Sequence, residues 1–321
     1  MISLSRRRFI RTAAIAGMLS PAIISSARAV TSRTILQGAT KLYCGTGTSF
    51  GSISGLGPDF PSISAALSAL KSSFDTGSQS VELRLLDGTV DPGFTLYGKL
   101  LGQGATTELC VRASSIGAAK IQPSGGAAAI GLAYGAAVAI ADLVMDGAVQ
   151  AGAGHAQDVI QLGQGGQLSM FGWNRIIQNS YSYNGITINQ AGSSVDQLPQ
   201  SWGSPIPNGG NLSWQGQYQA GIQTDNFGTL NVDANGQHGL IAWWMESSSY
   251  RSRPYWAVDF LDVGPGEVHV DGVDFHGAAD GYAYRVRPEG ILYVNMVQDP
   301  NQINAIPGSA RTGWPVLGAI I

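Results

Sequence analysis

The sequence predicts an all-β fold in which pairs of short strands recur along a solenoid. Three observations support this prediction. The 321 residues include 44 glycines and only 12% charged residues, which is about twice the usual share of glycine and half the usual charge, as in turn-rich β proteins. Runs of alternating apolar and polar residues recur along the last two thirds of the chain. A small residue interrupts these runs at a fixed place, which indicates a bend between two strands.

The repeat is clearest between residues 220 and 232. Ile222 lies six places before Gly228, and Leu230 and Val232 follow two and four places after it. Glycine suits such a bend because, without a Cβ atom, it adopts positive φ at no steric cost. The same spacing occurs in six copies, which begin at Ile130, Ile160, Ile186, Ile222, Phe260 and Tyr284.

Each copy corresponds to one turn of the predicted solenoid. The copies begin 24 to 38 residues apart, so we expect a bend of constant length and extra residues looped out elsewhere. The third copy is weaker because Ser194 and Asp196 in its second half are polar. Parallel crossovers are overwhelmingly right-handed, which favours a right-handed parallel β-helix. The alternative is a β-sandwich, whose hairpins would use pairs such as Asn235-Gly236 outside the bends.

The first 29 residues predict export. A basic run over Ser5–Arg11 precedes an apolar run over Thr12–Ile24, and Ala-Arg-Ala at 27–29 fits a cleavage site. This arrangement resembles a twin-arginine signal, which implies export of the folded protein across a bacterial inner membrane, to the periplasm or beyond. The apolar run is too short to span a bilayer comfortably, so we expect no membrane insertion after signal removal.

The charge of the remaining chain disfavours two classes of partner. Residues 1–29 contain five arginines and no acidic residue, which leaves 13 basic and 21 acidic residues and a net charge of -8. Nucleic acids and anionic membranes attract proteins of the opposite sign. We therefore expect neither as a partner.

Residues 30–80 predict a cap for the open N-terminal end of the solenoid. Leu42–Cys44 is typical of a strand, and the run that begins near Pro61 predicts an amphipathic helix. Its apolar face consists of Ile63, Ala66, Leu67, Leu70 and Phe74. The predicted β-helix occupies 81–300, beginning with a strand over Val81–Leu85. We expect a loop insertion near 198–219, rich in proline and glycine, and a C-terminal tail or cap over 301–321.

The cap and the first strand carry a resemblance to a known family. Residues 60–67, Phe-Pro-Ser-Ile-Ser-Ala-Ala-Leu, followed by Val81–Gly88, resemble the opening helix and first strand of pectin-lyase-like β-helix proteins, including phage tail-spike-like members. The resemblance implies the fold more than an activity. The paired aspartates and Gly-His-Gly of polygalacturonases are absent, with Gln237-His238-Gly239 as the nearest fragment. Arg251-Ser-Arg253-Pro254 is similar to the arginine-proline motif of pectate lyases but lacks its second arginine.

Candidate catalytic residues follow from aligning the copies by their bend residue. Asp233 and Asp271 occupy one column, and His238 and His276 another. Stacked in adjacent turns, the two carboxyl groups would lie about 5 Å apart, so that one could act as acid and the other as base or nucleophile. The alternative is that they are turn aspartates and solvated histidines. Further candidates are Asp225, Asp274, Glu246 and Arg251.

Candidate binding residues come from a concentration of aromatic side chains. Five of the seven tryptophans lie between residues 202 and 256, and such rings suit the C–H faces of sugars. The alternative is that they pack loops onto the solenoid. The predicted substrate-binding residues are Trp214, Trp243, Trp244, Arg251 and Arg253.

The two cysteines, Cys44 and Cys110, allow one disulfide in an exported protein, or two buried free thiols. No cysteine and histidine spacing indicates a zinc site. We therefore expect neither a metal nor a cofactor.

These observations favour an exported β-helix protein that binds a polysaccharide along one face. As an enzyme it would be a polysaccharide lyase or a glycoside hydrolase. The rival hypothesis is a non-catalytic β-helix used in adhesion or in the cell envelope. A redox protein is a third class, which only the export signal suggests.

Overall fold

A computed structural model describes residues 33–45, 60–104, 109–123, 127–147, 158–179, 184–198, 200–201, 204–205, 210–217, 220–233, 241–245, 259–271, 273–277, 282–295 and 319–320. Within these ranges it contains 28 strands and one helix. The predicted signal at 1–29 and most of the predicted tail at 301–321 lie outside the described residues. No helix in the described ranges combines the length and apolarity needed to cross a membrane.

Most of the strands, numbered here in chain order, form three long sheets. The ten strands of the first sheet are β2 (Thr40–Cys44), β4 (Val81–Leu85), β7 (Leu109–Ala113), β10 (Ala137–Ala141), β13 (Gln167–Phe171), β16 (Ser194–Gln197), β21 (Thr229–Asp233), β24 (Gly266–Asp271), β27 (Gly290–Asn295) and β28 (Ala319–Ile320). The seven strands of the second sheet are β5 (Val90–Asp91), β8 (Lys120–Ile121), β11 (Val144–Asp146), β14 (Trp173–Asn179), β19 (Gly210–Gln217), β22 (Ile241–Met245) and β25 (Val273–Gly277). The seven strands of the third sheet are β6 (Phe94–Tyr97), β9 (Ile130–Ala133), β12 (Ile160–Leu162), β15 (Ile186–Asn189), β20 (Ala220–Asp225), β23 (Asp259–Val263) and β26 (Tyr282–Val286).

From β4 to β27 the chain visits the first, second and third sheets in the same order in every circuit. All strand pairs within the three sheets are parallel, so each strand pairs with its counterpart one circuit earlier and one circuit later. The fold is therefore all-β with long parallel sheets, as predicted. A β-sandwich built from antiparallel hairpins, the alternative, is wrong for the described residues.

The core lies between the three sheets and runs continuously through the circuits. Alternate residues of each strand point inward because side chains on a strand have a period of two. Leu230 pairs with Val268, and Val268 pairs with Leu292. All three side chains are fully buried in one cluster with the inward residues of the other sheets. The predicted inward column is confirmed.

The bends between the third and first sheets need small residues for a reason that the sequence did not predict. A Cβ atom on Gly166 or Gly228 would lie 2.4 or 2.5 Å from a carbonyl oxygen of the preceding circuit, on Leu132 or Ile188. These glycines are therefore required by close backbone approach and not by positive φ. Positive φ falls instead on the preceding residue, at Gly135, Gly165, Phe227 and Glu289.

The bend is also not constant in length, contrary to the prediction. Leu261, and not Phe260, is the Cα partner of Ile222, so the bend that ends at Gly266 is one residue shorter than its neighbours. The strand after it keeps its register, since Val268 still pairs with Leu230.

The third copy has a bend that is one residue longer. Val195 takes the inward position and pairs with Leu168, and Gln197 is buried two places later. Asp196 therefore points outward. The polar second half of this copy reflects a shifted phase and not a weak core.

A single helix, α1 (Ile63–Ser73), covers the core near the N-terminal end, as predicted. The Ser62 hydroxyl caps it by accepting a hydrogen bond from the Ala65 backbone N–H. Ile63, Ala66, Leu67 and Leu70 are buried in the core. Asp91 of β5 holds the helix onto the second sheet, because its carboxylate accepts 2.8 Å and 2.9 Å hydrogen bonds from the Ile63 and Gly93 N–H groups.

Two small sheets flank these elements. The strands β1 (Thr34–Ile35) and β3 (Phe74–Asp75) pair in parallel beside α1. The strands β17 (Gln200–Ser201) and β18 (Ser204–Pro205) form an antiparallel hairpin. The insertion predicted near 198–219 is therefore partly wrong: it contains this hairpin, but Gly210–Gln217 is a strand of the second sheet.

The two cysteines are not bonded to each other. Cys44 lies in the main core, whereas Cys110 lies on the outward side of β7 with Ala139, Ala141 and Phe171. Both thiols are buried. Burial raises the pKa of the Cys110 thiol well above its usual range, so this group stays protonated and unreactive.

Candidate functional site

A groove of about 710 Å³ lies on the outer face of the third sheet, across β6, β9, β12 and β15. Outward side chains of these strands line it, together with residues of the adjoining bends. The lining residues are Thr95, Tyr97, Ala127, Ala128, Gly131, Leu132, Ala133, Asp158, Gln161, Leu162, Gly163, Gln164, Thr187, Asn189 and Gln190. These residues are called the groove below.

The groove exists because small residues interrupt a row of larger ones. Thr95, Gly131, Gln161 and Thr187 are Cα partners in four successive strands, so their side chains form one row along the sheet. Gly131 contributes no side chain to that row. A gap is therefore left between Thr95 and Gln161, with a spacing of about 4.8 Å from strand to strand.

Two tyrosines form the edge of the groove next to the first strand. Tyr97 ends β6, and Tyr134 occupies the following bend with a positive φ of 54°. Their ring centroids lie 5.8 Å apart with an interplanar angle of 46°. The side chains are 57% and 64% exposed. Exposed aromatic faces beside polar groups are suited to the apolar faces of sugar rings.

Amide side chains fill the opposite wall and are fixed by hydrogen bonds to their neighbours. The Asn184 amide nitrogen donates to Thr187 Oγ1 at 3.2 Å and to Gln223 Oε1 at 2.5 Å. The Asn226 amide nitrogen donates to Asn189 Oδ1 at 2.8 Å in the next circuit. These bonds link three circuits of the third sheet. The wall is therefore organised before any ligand binds, which lowers the entropy that binding would cost.

Gln190 extends the same wall into the bend. Its Oε1 accepts a 2.9 Å hydrogen bond from the Gln164 backbone N–H, one circuit earlier. Both residues have positive φ, at 77° and 51°. The side chains of the bend thus continue the polar surface of the strands.

Asp158 is the carboxylate of the groove. Its Oδ1 accepts a 2.7 Å hydrogen bond from the Asn184 backbone N–H. The side chains of Thr187, Gln161 and Asn184 also hydrogen-bond to it. Burial raises the pKa of Asp158, and these hydrogen bonds oppose the rise because they favour the charged form.

An arginine cluster follows further along the third sheet. Arg287 Nε lies 3.0 Å from Asp262 Oδ1, and its Nη1 lies 3.6 Å from Asp225 Oδ2. Its Nη2 donates to the Thr224 carbonyl at 2.8 Å. Asp225, a candidate from the sequence, is therefore half of an ion pair with a structural role in joining circuits.

The predicted acid pair is adjacent in the backbone. Asp233 and Asp271 are Cα partners in β21 and β24 of the first sheet. His276 pairs with Trp244 between β25 and β22 of the second sheet, and Asp274 lies two residues before His276 in β25. His238, Glu246, Arg251 and Arg253 lie outside the described residues. The catalytic role of the aspartates and histidines stays a prediction.

Two of the predicted binding tryptophans have a different role from the one expected. Trp214 and Trp243 are fully buried, with ring centroids 5.6 Å apart in an edge-to-face arrangement. Their indole N–H groups donate to the Gly221 carbonyl and to Gln197 Oε1. Both lie in strands of the second sheet at inward positions. They stabilise the core and present no ring to a ligand, so this part of the prediction is wrong.

The groove residues are absent from the predicted site, although the repeat contains a signal for them. In each copy the residue after the leading apolar residue points outward. Gly131, Gln161, Thr187 and Gln223 occupy this position. Aligning the first half of the copies, and not only the second, would have indicated a polar row with one gap.

No group of three or more histidine, cysteine, aspartate or glutamate side chains in the described ranges is arranged to hold a metal ion. The groove offers hydrogen-bonding amides, a carboxylate and two tyrosines. This set can bind hydroxyl-bearing ligands.

No family model, curated protein or solved structure matches this chain. The groove is therefore interpreted from the chemistry of its own residues.

Proposed function

We propose that this chain is an exported right-handed parallel β-helix protein that binds a polysaccharide in the groove. The regular passage of the chain through three parallel sheets supports the β-helix. The resemblance of Phe60–Leu67 and Val81–Gly88 to pectin-lyase-like proteins supports it independently. The export signal resembles the twin-arginine type, and Arg6→Lys combined with Arg7→Lys should leave precursor in the cytoplasm; normal export of this variant would contradict the proposal.

The observation that carries the binding proposal is the pairing of exposed tyrosines with a fixed amide wall. Sugars present apolar C–H faces and hydroxyl groups together, and they need both kinds of surface. The wall repeats with the strands, at about 4.8 Å per circuit. An extended glycan lying along the row would meet a new polar group at each circuit.

Binding to a panel of soluble polysaccharides and their oligosaccharides, measured by calorimetry, tests the proposal. Tyr97→Ala should weaken binding by about 1 kcal/mol or more, since a stacked ring is lost. Gln161→Ala should weaken it as well, because a wall donor is lost. His269→Ala is the matched control: His269 is a half-exposed ring on the first sheet, stacked 4.4 Å from Tyr293 and outside the groove.

Unchanged binding in Tyr97→Ala and Gln161→Ala would move the site elsewhere. A protein that binds no glycan of the panel would end the polysaccharide proposal. The rival, a non-catalytic adhesion or envelope protein, would then be favoured.

Cleavage of the bound glycan is a further part of the proposal, by a hydrolase or lyase reaction. The backbone pairing of Asp233 and Asp271 supports it, since acid and base groups must lie close together. Asp233→Asn and Asp271→Asn should each lower turnover by about a hundredfold or more while leaving binding intact. Full turnover in both variants would exclude this pair.

A further inference from the structure

The charges around the groove differ from those needed to bind an acidic glycan. Among the described lining residues, Asp158 is the one charged side chain, and no lining residue is basic. Recognition of a carboxylate ligand normally uses arginine or lysine. The groove has the opposite sign.

The nearest basic groups have other partners. The Lys71 ammonium donates to the Tyr97 backbone carbonyl, at the edge of the groove. Arg287, on the same sheet further along, is paired with Asp262 and Asp225. Neither charge is directed at Asp158. The chain after residue 29 also carries a net charge of -8, which repels an anionic polymer at longer range.

Asp158 is held in one position. The 2.7 Å hydrogen bond from the Asn184 backbone N–H fixes one carboxylate oxygen. The hydrogen bonds from Thr187 and Gln161 tie it to the row that would contact a ligand. A carboxylate with several donors cannot easily turn away from a second negative charge. It can still accept hydrogen bonds from sugar hydroxyl groups.

We propose that the groove selects neutral glycans over acidic ones, and that Asp158 is the residue that determines this specificity. The proposal rests on the polysaccharide-binding function proposed above. A uronate carboxylate placed beside Asp158 would lack a positive partner and face a like charge. A neutral sugar would offer its hydroxyl group to the same oxygen atoms.

Matched ligands allow a direct test. Polygalacturonate, alginate and hyaluronan are each compared with the same polymer after chemical reduction of its carboxyl groups to alcohols, and plain glucans and galactans are added. The wild-type protein should bind the reduced form of any polymer that it recognises at least tenfold more tightly than the acidic form. In Asp158→Asn this ratio should fall below about threefold, because asparagine keeps the acceptor oxygen for Asn184 and removes the charge.

Asp196→Asn is the control variant. Asp196 is another partly buried aspartate with a raised pKa, but it lies on the outer face of the first sheet, where Asn231 hydrogen-bonds to it. This variant should keep the wild-type ratio. If Asp158→Asn does not fold, the wild-type ratio is measured between 0.05 M and 0.5 M salt, where a ratio due to charge should shrink.

The outcomes separate the two proposals. Acidic forms bound as tightly as reduced forms, or more tightly, would overturn the specificity and leave the binding function in place. A ratio that persists in Asp158→Asn, or that does not depend on salt, would overturn the role of Asp158. Failure to bind any polymer in either form would overturn the binding function, and the specificity with it.

Discussion

The outer faces of the first and third sheets cover the same continuous core but carry different surfaces. On the first sheet, Cys110, Ala139 and Ala141 alternate with core residues, yet they are fully buried and pack with Phe171. The charged groups beside them are paired, as in the 2.6 Å bond between Arg112 and Asp142. This face is closed.

The third sheet has an open face at the same level of the fold. Its outward row contains Thr95, Gly131, Gln161 and Thr187, and the missing side chain at Gly131 leaves the groove. Its polar groups are fixed to one another but remain partly accessible. The comparison teaches that the repeat determines the inward column, whereas each outward column is free to acquire its own chemistry.

A charge placed in the shared core should have the largest effect, because it breaks what both faces rest on. Val268→Asp would bury a carboxylate without a partner, and we expect a loss of more than about 3 kcal/mol in the free energy of unfolding, or failure to fold. Urea unfolding followed by circular dichroism measures this. The neighbouring His269→Asp, at an exposed position of the same strand, is the control and should change stability by less than about 1 kcal/mol.

The bends that join the two faces should be the next most sensitive places. In Gly228→Ala the new Cβ atom would lie 2.5 Å from the Ile188 carbonyl oxygen, and we expect a loss of about 1–3 kcal/mol from the strain. Gly38→Ala is the control, since nothing lies within 4 Å of its Cβ position. Equal thermal unfolding of the two variants would contradict the close-approach explanation.

Exchanging one side chain between the faces tests whether one is closed and the other open. Ala139→Gln would force a large side chain into the closed face, and it should cost about 1–3 kcal/mol of stability. Gln161→Ala removes a side chain from the open face and should cost less than about 1 kcal/mol. Comparable losses in the two variants, measured by urea unfolding, would show that the faces do not differ in packing.

The smallest expected effect is a pH dependence that the two faces share. Burial raises the pKa of Asp158 on the third sheet and of Asp196 on the first above the usual value of 3.8. The folded protein therefore holds these protons more tightly than the unfolded chain. The contribution of each group to stability is greatest below pH 3.8, and it is lost as the pH rises through the raised folded pKa.

Replacing either carboxyl group should flatten this dependence. The free energy of unfolding of the wild-type protein, relative to Asp158→Asn or Asp196→Asn, should decrease between pH 3.5 and pH 7. Denaturant unfolding at several pH values measures the difference. A relative stability that increases over this range would mean that hydrogen bonding, and not burial, controls the pKa of these groups.

Much of the fold could be predicted because one pattern is repeated. The alternation around Ile222 and Leu230 places strands and a bend in each circuit, and stacking then fixes neighbours such as Asp233 and Asp271. Trp214 and Trp243 were misinterpreted because they follow irregular segments in which the repeat is lost. The alternation of Leu212 with Trp214, and of Ile241 with Trp243, was the available signal for their burial.

The groove could not be predicted in the same way. It depends on the absence of a side chain at Gly131 and on hydrogen bonds between circuits, such as Asn184 to Gln223. These residues are about 40 positions apart or differ from their neighbours only in size. A periodicity in apolar residues contains no information about them.

The two bends of altered length have a consequence for how such a chain can change. A residue gained or lost within a strand would turn every later side chain of that strand to the opposite face. At Gly192 and Gly266 the chain has gained and lost one residue, yet Val195 and Val268 still take inward positions. Each bend thus resets the phase of the following strand. An insertion is confined to the circuit in which it arises, and the circuits beyond it inherit an unchanged core.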